Sequence, residues 1–199
     1  MARPREFDEE EVLGRAMEQF WSAGYELTSV ADLEAATGLG RKSFYNVFGN
    51  KRTLFLSALD LFASMSAERY LSFMEADDAG LAEIESVMRS MVADREEQQG
   101  ENGCLICHTS REPIFQEPEV KQRVESYFSR VEAAFDGALR RELERRQRPT
   151  SVAGELAAFM TGILVSLGVL ARSPLRQSLL VDYVEQALMQ LRSRITALG

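Results

Sequence analysis

The chain has 199 residues, enough for one sizeable core or for a small domain docked on a larger one. Hydrophobic residues make up 45% and charged residues 27%, which excludes a disordered or collagen-like chain and fits a globular one. The net charge of −8 would exclude a nucleic-acid partner only if it were evenly spread, and it is not: no acid stands between Glu34 and Asp60, a gap that holds Arg41, Lys42, Lys51 and Arg52.

Apolar residues recur at helical spacing almost throughout, and alternating β-branched runs are absent, so the expected class is all-α, with about nine helices. The first helix should start at Asp8, with Glu11 completing a capping box and Phe7 stapled onto Val12. Its apolar stripe is Val12, Leu13, Ala16, Met17 and Phe20, and Gly24 marks its end. A second helix opens at Ser29 with Asp32 as box partner and ends near Thr37-Gly38. A short third helix follows Gly40 and stops around Val47-Phe48. Gly49-Asn50 then starts a fourth that runs to about Phe73. Further helices are expected near 80–97, 103–111, 118–147, 151–171 and 176–197, separated by Gly, Pro and Asp breaks.

The first three helices would pack around Phe20, Val30, Leu33, Leu39, Phe44 and Phe48, and the turn Thr37-Gly38-Leu39-Gly40 gives a helix-turn-helix. Arg41 and Lys42 open the third helix, and Lys51 and Arg52 open the fourth. A cation at a helix start costs on the order of 0.3–1 kcal/mol, because that end of the macrodipole is already positive. A bound phosphate reverses the sign, since N–H groups, dipole and side chains then act together.

The run from Thr28 to Lys51 resembles the DNA-binding signature of TetR-type (tetracycline-repressor-like) regulators. The matching features are Thr-Ser-Val before the second helix, Gly-Leu in the turn, and Tyr45, Phe48 and Lys51. Ala16, Phe20, Gly24 and Tyr25 upstream, and Leu54-Phe55 downstream, fit the same pattern, so the detailed similarity covers about residues 7–60. The resemblance implies a helix-turn-helix domain over residues 1–52 and a helical ligand-binding and dimerisation domain over 53–199. It further implies a homodimeric regulator, by family habit a repressor, on a palindromic double-stranded DNA operator. Thr28, Tyr45 and Lys51 would contact phosphate. Arg41, Lys42, Ser43 and Asn46 would lie on the exposed face of the recognition helix, where Arg or Lys suits guanine and Asn suits adenine. The sequence departs from the family at Gly40, where Ser is frequent, at Phe44, where Leu is usual, and at Asn46-Val47, where a His-His pair is common. These departures concern which operator is read.

From Leu156 to Ala171 the chain has sixteen uncharged residues, too few for the roughly twenty a membrane helix needs, so a buried helix and no membrane partner are expected. Gly154, Ala158, Gly162 and Ser166 are spaced by fours there, which lets two backbones approach. The last helix carries Val184, Leu188, Leu191, Ile195 and Leu198. Together these two helices are the expected dimer seam. A small-molecule effector, of a kind the resemblance does not name, would sit among the middle helices in a space lined by Phe62, Met65, Tyr127, Phe128 and Phe159.

Cys104-Leu-Ile-Cys107-His108 has the spacing of a c-type haem attachment site. Attachment goes with export, however, and Met-Ala-Arg-Pro-Arg-Glu lacks the apolar run of a signal peptide, so a cytoplasmic protein without cofactor is expected. A structural zinc ion needs four ligands, and the sequence holds only two Cys and one His. Two readings stay open: a structural pair, or a thiol sensor with Cys104 in a helix first turn, His108 one turn on and Arg111 beyond Cys107. No nucleophile with an orienting base and no Gly-rich phosphate loop is found, so an enzyme is not expected.

Overall fold

A computed structural model describes residues 8–97, 103–173 and 177–198, with positions 94–97 given as helix only. The proposed staple from Phe7 lies outside the described residues. Helix α1 spans Glu9–Ala23, α2 Val30–Thr37, α3 Arg41–Phe48 and α4 Lys51–Ser66. A π turn, Ala67–Leu71, and α5, Ser72–Glu75, prolong α4 into one rod. Then come α6 (Leu81–Glu97), α7 (Leu105–Thr109), a 3-10 turn (Pro113–Gln116) and α8 (Pro118–Arg145). A second 3-10 turn (Thr150–Val152), α9 (Ala153–Leu170) and α10 (Gln177–Ala197) complete the order. Counting the rod once, the described residues form nine α-helices and no strand, arranged as an N-terminal helix-turn-helix and a C-terminal helical body.

The caps show why the early helices begin where they do. Ser29 and Asp32 form the expected reciprocal box: the Asp32 N–H donates to Ser29 Oγ at 3.1 Å, and the Ser29 N–H donates to Asp32 Oδ2 at 2.8 Å. At α1 the box does not form. Asp8 accepts from the Glu10 N–H at 2.9 Å instead, and Glu11 turns along the helix to pair with Arg15 at 2.6 Å. Gly38 ends α2 in the left-handed region at φ 71, which a residue without Cβ adopts freely.

The head formed by α1–α3 closes over α4. Phe20, Leu33, Phe44, Leu54 and Phe55 are fully buried, and the Phe20 ring meets the Phe55 ring edge-on at 5.0 Å. In the body α8 is the spine, with Val120, Val124, Tyr127, Val131, Phe135, Leu139 and Leu143 buried along it, and it packs against α4, α5, α6, α7 and α9. The segment 150–170 is long and apolar enough to cross a membrane by length and composition alone. Its Leu156, Met160, Ile163, Leu164 and Leu167 are buried, and it lies along α8 as a core helix does.

The expected dimer seam divides. On α10, Val184, Leu188, Leu191 and Ile195 are buried inside the subunit and Leu198 is half-buried, because α6 and α9 pack on that face. That stripe is core. The small residues of α9 behave differently: Gly154, Ala158 and Gly162 are exposed, and Ser166 is half-buried. Val169, Leu179, Val181 and Met189 are also exposed large apolar residues on these two helices.

Candidate nucleic-acid interface

Helix α3 buries Phe44 and turns Arg41, Lys42, Tyr45 and Asn46 outward, with Ser43 half-buried at the edge. Phe44 anchors this orientation, touching Phe48 at 5.9 Å and the edge of Tyr45 at 5.5 Å between ring centroids. Arg41 and Lys42 have no ion-pair partner among the described residues. The N-cap, Gly40, offers no side-chain acceptor, so the first N–H groups of α3 face outward beside two cations. A Ser at position 40 would have filled part of that role.

The start of α4 is arranged otherwise. Asn50 caps it by accepting from the Thr53 N–H at 2.9 Å. Lys51 is half-buried with its Nζ 4.1 Å above the Tyr25 ring centroid, a cation–π seat built on the Phe20–Tyr25–Phe55 cluster. Partial burial lowers the Lys51 pKa, while Glu26, Glu112 and Asp32 act the other way. Arg52, expected as a fourth open cation, pairs instead with Glu119 and, at 3.6 Å, with Glu117. Among the described residues, the cations of the head left without a carboxylate partner are therefore Arg41, Lys42 and Lys51.

Thr28 stands at the foot of α2 but does not face outward. It is 1% exposed, and its Oγ1 donates to the Gly24 carbonyl at 2.6 Å. The hydroxyl holds the α1–α2 turn closed, which is a different task from touching phosphate.

The family of bacterial regulatory proteins described as "tetR family" matches residues 12–58, the span that carries α1, the helix-turn-helix and the start of α4. Residues 12–58 are a TetR-family DNA-binding region. The whole chain is 29% identical over 194 residues to the uncharacterised HTH-type transcriptional regulator YezE of Bacillus subtilis (strain 168), covering 96% of this chain and 100% of that one. The repressor ComR of Escherichia coli (strain K12) is 43% identical over 68 residues, 34% of this chain and 32% of ComR. Among solved structures, a cysteine mutant of the regulator CifR complexed with 26-bp double-strand operator DNA superposes with a TM-score of 0.84 at 26% identity, covering 94% of this chain and 98% of that one. The family and these relatives are transcriptional regulators, not enzymes.

The expected effector residues of the helical body do not converge on one enclosed space. Phe62 is buried against the edge of Trp21 at 5.2 Å, Met65 is 50% exposed, and Phe159 is half-buried on α9. Tyr127 is buried with its hydroxyl 2.8 Å from Ser66 Oγ, and Phe128 meets its ring edge-on at 5.7 Å. An open groove of about 460 Å³ runs between α4 and α8, lined by Leu59, Asp60, Ala63, Ser64, Gln122, Arg123, Ser126, Tyr127 and Arg130. Only Tyr127 among the expected residues reaches it. The other walls mix Leu59 and Ala63 with charged and polar groups, Arg123 pairing to Asp60 at 2.9 Å and Arg130 to Glu75 at 2.7 Å.

Cys104 is the N-cap of α7 rather than part of its first turn, and its Sγ accepts from the Cys107 N–H at 3.4 Å. A Cβ on Gly168 would stand 2.8 Å from Cys104 Cβ and 2.9 Å from Cys107 Sγ, so both cysteines press on the same point of α9. The Cys107 thiol, helped by the N–H groups of Cys107 and Ile106, holds the Cys104 thiol below its usual range against the effect of burial. Cys107 is pushed up, first by Cys104 and then by burial. His108 and Arg111 do not join the pair: Arg111 is exposed, and His108 turns toward the end of α1. Sequence reasoning missed Glu112 and Arg172, which meet His108 there. Neither stands in a recognisable motif.

Proposed function

We propose that this TetR-family regulator binds a palindromic double-stranded DNA operator as a homodimer, acts as a repressor in the cytoplasm, and is released by a small-molecule or reactive effector. The observation that carries this reading is the outward row Arg41, Lys42, Tyr45 and Asn46 on α3, beside an uncapped helix start and the seated ammonium of Lys51. Tyr45 and Lys51 act on phosphate; Arg41, Lys42, Ser43 and Asn46 act at or near base edges. The names of ComR, a repressor, and of the CifR complex with operator DNA support the same direction. The exposed α9 row Gly154, Ala158 and Gly162 supports a second copy as the partner at that face.

The test is binding to duplexes selected from a random-sequence pool. Affinity should fall steeply with salt. Tyr45→Ala and Lys51→Ala should weaken every duplex alike, and Lys51→Ala should flatten the log–log salt slope by about one. A shift in the preferred base pair on either change would contradict the division of roles.

A second reading, that the effector is an electrophile captured by Cys104, is favoured by the depressed Cys104 thiol and its half-buried position. With an α,β-unsaturated carbonyl compound, the Cys104 sulfur bonds to the β-carbon and the thiol proton passes through solvent to the α-carbon. An adduct on α7 cannot keep the close contact with Gly168. Treatment with such a compound should release DNA from the wild type and not from Cys104→Ser. Unchanged release in the variant removes this reading.

A further inference from the structure

The link from α1 to α2 is held from outside the head by side chains of two separate body elements. Glu112, just beyond α7, accepts from the Glu26 N–H through Oε2 at 3.0 Å. Arg172, just beyond α9, donates through Nη2 to the Ser22 carbonyl at 3.1 Å and to the Trp21 carbonyl. The Trp21 indole N–H in turn donates to the Gly103 carbonyl at 2.9 Å. His108 stands between the two charged groups, with Nε2 3.1 Å from Arg172 Nη1 and Nδ1 3.3 Å from Glu112 Oε1. Gly24, at φ 84, sits on this pair so closely that a Cβ would stand 2.8 Å from Glu112 Oε1 and 3.0 Å from His108 Cε1.

A guanidinium has donors only, so His108 Nε2 is the acceptor and the ring proton lies on Nδ1, toward Glu112. His108 Nδ1 and Glu112 Oε1 are buried side by side but out of hydrogen-bond alignment. A second proton, on Nε2, removes the acceptor that Arg172 uses and sets two cations against each other. The groups around the ring are Arg172 from the end of α9 and Glu112 and Arg111 from the end of α7, while α1 presents Gly24.

We propose that His108, Glu112 and Arg172 form a proton-sensitive seat that positions the DNA-reading head on the body, so that acidification weakens DNA binding. The proposal rests on the DNA-binding reading above. Burial first and Arg172 second hold His108 below its ordinary value, with Arg111 adding to them and Glu112 opposing. The neutral ring is thus the folded form: its contribution is complete above about pH 6.5 and is lost as pH falls below that value. His108 is the single histidine of the chain, and Trp21 the single tryptophan, so the seat carries its own titrating group and its own fluorophore.

The test uses the full chain and a duplex selected from a random pool at about pH 7.5. Wild-type affinity should fall about tenfold by about pH 5.5, within the usual range of coupling between sites. His108→Gln, whose amide oxygen still accepts from Arg172 and takes no proton, should change less than about twofold over the same range. Trp21 emission, read without DNA, should shift on acidification in the wild type and stay constant in His108→Gln. An affinity or emission that ignores pH in the wild type overturns the seat, as does a variant that titrates like the wild type. Failure to select any duplex at neutral pH overturns the DNA-binding reading itself, and the seat's role with it.

Discussion

Replacing Phe20 by alanine is expected to destabilise the protein by about 3–5 kcal/mol, the range for an aromatic ring deleted from a sealed core. Phe20 has no exposed surface, and its ring lies 5.0 Å from Phe55 and 6.1 Å from Tyr25. The small head has few other large side chains to collapse into the hole. The effect reaches function, because Tyr25 carries Lys51 on its face and leans on the same cluster. Urea unfolding measures the first effect and duplex binding the second. A loss below about 1 kcal/mol would mean that the cluster does not support the head.

Gly162→Arg is expected to leave the subunit folded and to abolish the proposed dimer. Nothing lies within 4 Å of the place a Cβ would take at Gly162, so the new side chain meets no neighbour in the subunit. Removing a glycine from the middle of a helix gains a few tenths to about 1 kcal/mol in helix propensity. Against a second copy the same side chain is a buried charge without a partner, which costs several kcal/mol on each side of a two-fold interface. Sedimentation should give a monomer with unchanged helix content and lost duplex binding. A variant that stays dimeric places the contact elsewhere.

Local signals carried the head almost completely. The Ser29–Asp32 box, the Gly38 turn and the burial of Phe20, Leu33 and Phe44 depend on residues a few positions apart, where spacing is informative. Two of the misreadings share one cause, a partner far away in the sequence. Arg52 looks like Arg41 in sequence, but Glu119, 67 positions away, neutralises it. Periodicity showed that α10 has an apolar face without showing which neighbour covers it, and α6 and α9 do so inside the subunit. Thr28 was misplaced for a subtler reason: its hydroxyl bonds backward to Gly24, a competition between side chain and backbone that residue type alone does not decide. The seat at His108 joins residues up to 151 positions apart and lies beyond any short pattern.

The π turn at Ala67–Leu71 fixes the angular phase of the long rod. At about 100° per residue, the twelve steps from Phe62 to Met74 would carry Met74 roughly a third of a turn off the line of Phe62 in an uninterrupted α-helix. Yet Phe62, Leu71 and Met74 are all buried. The wider turn takes up one extra residue and cancels most of that drift, bringing the far half of the rod back into register with the near half. Chain length between Ser66 and Ser72 is therefore as constrained as side-chain identity, since one residue fewer would rotate the apolar side of α5 away from α8.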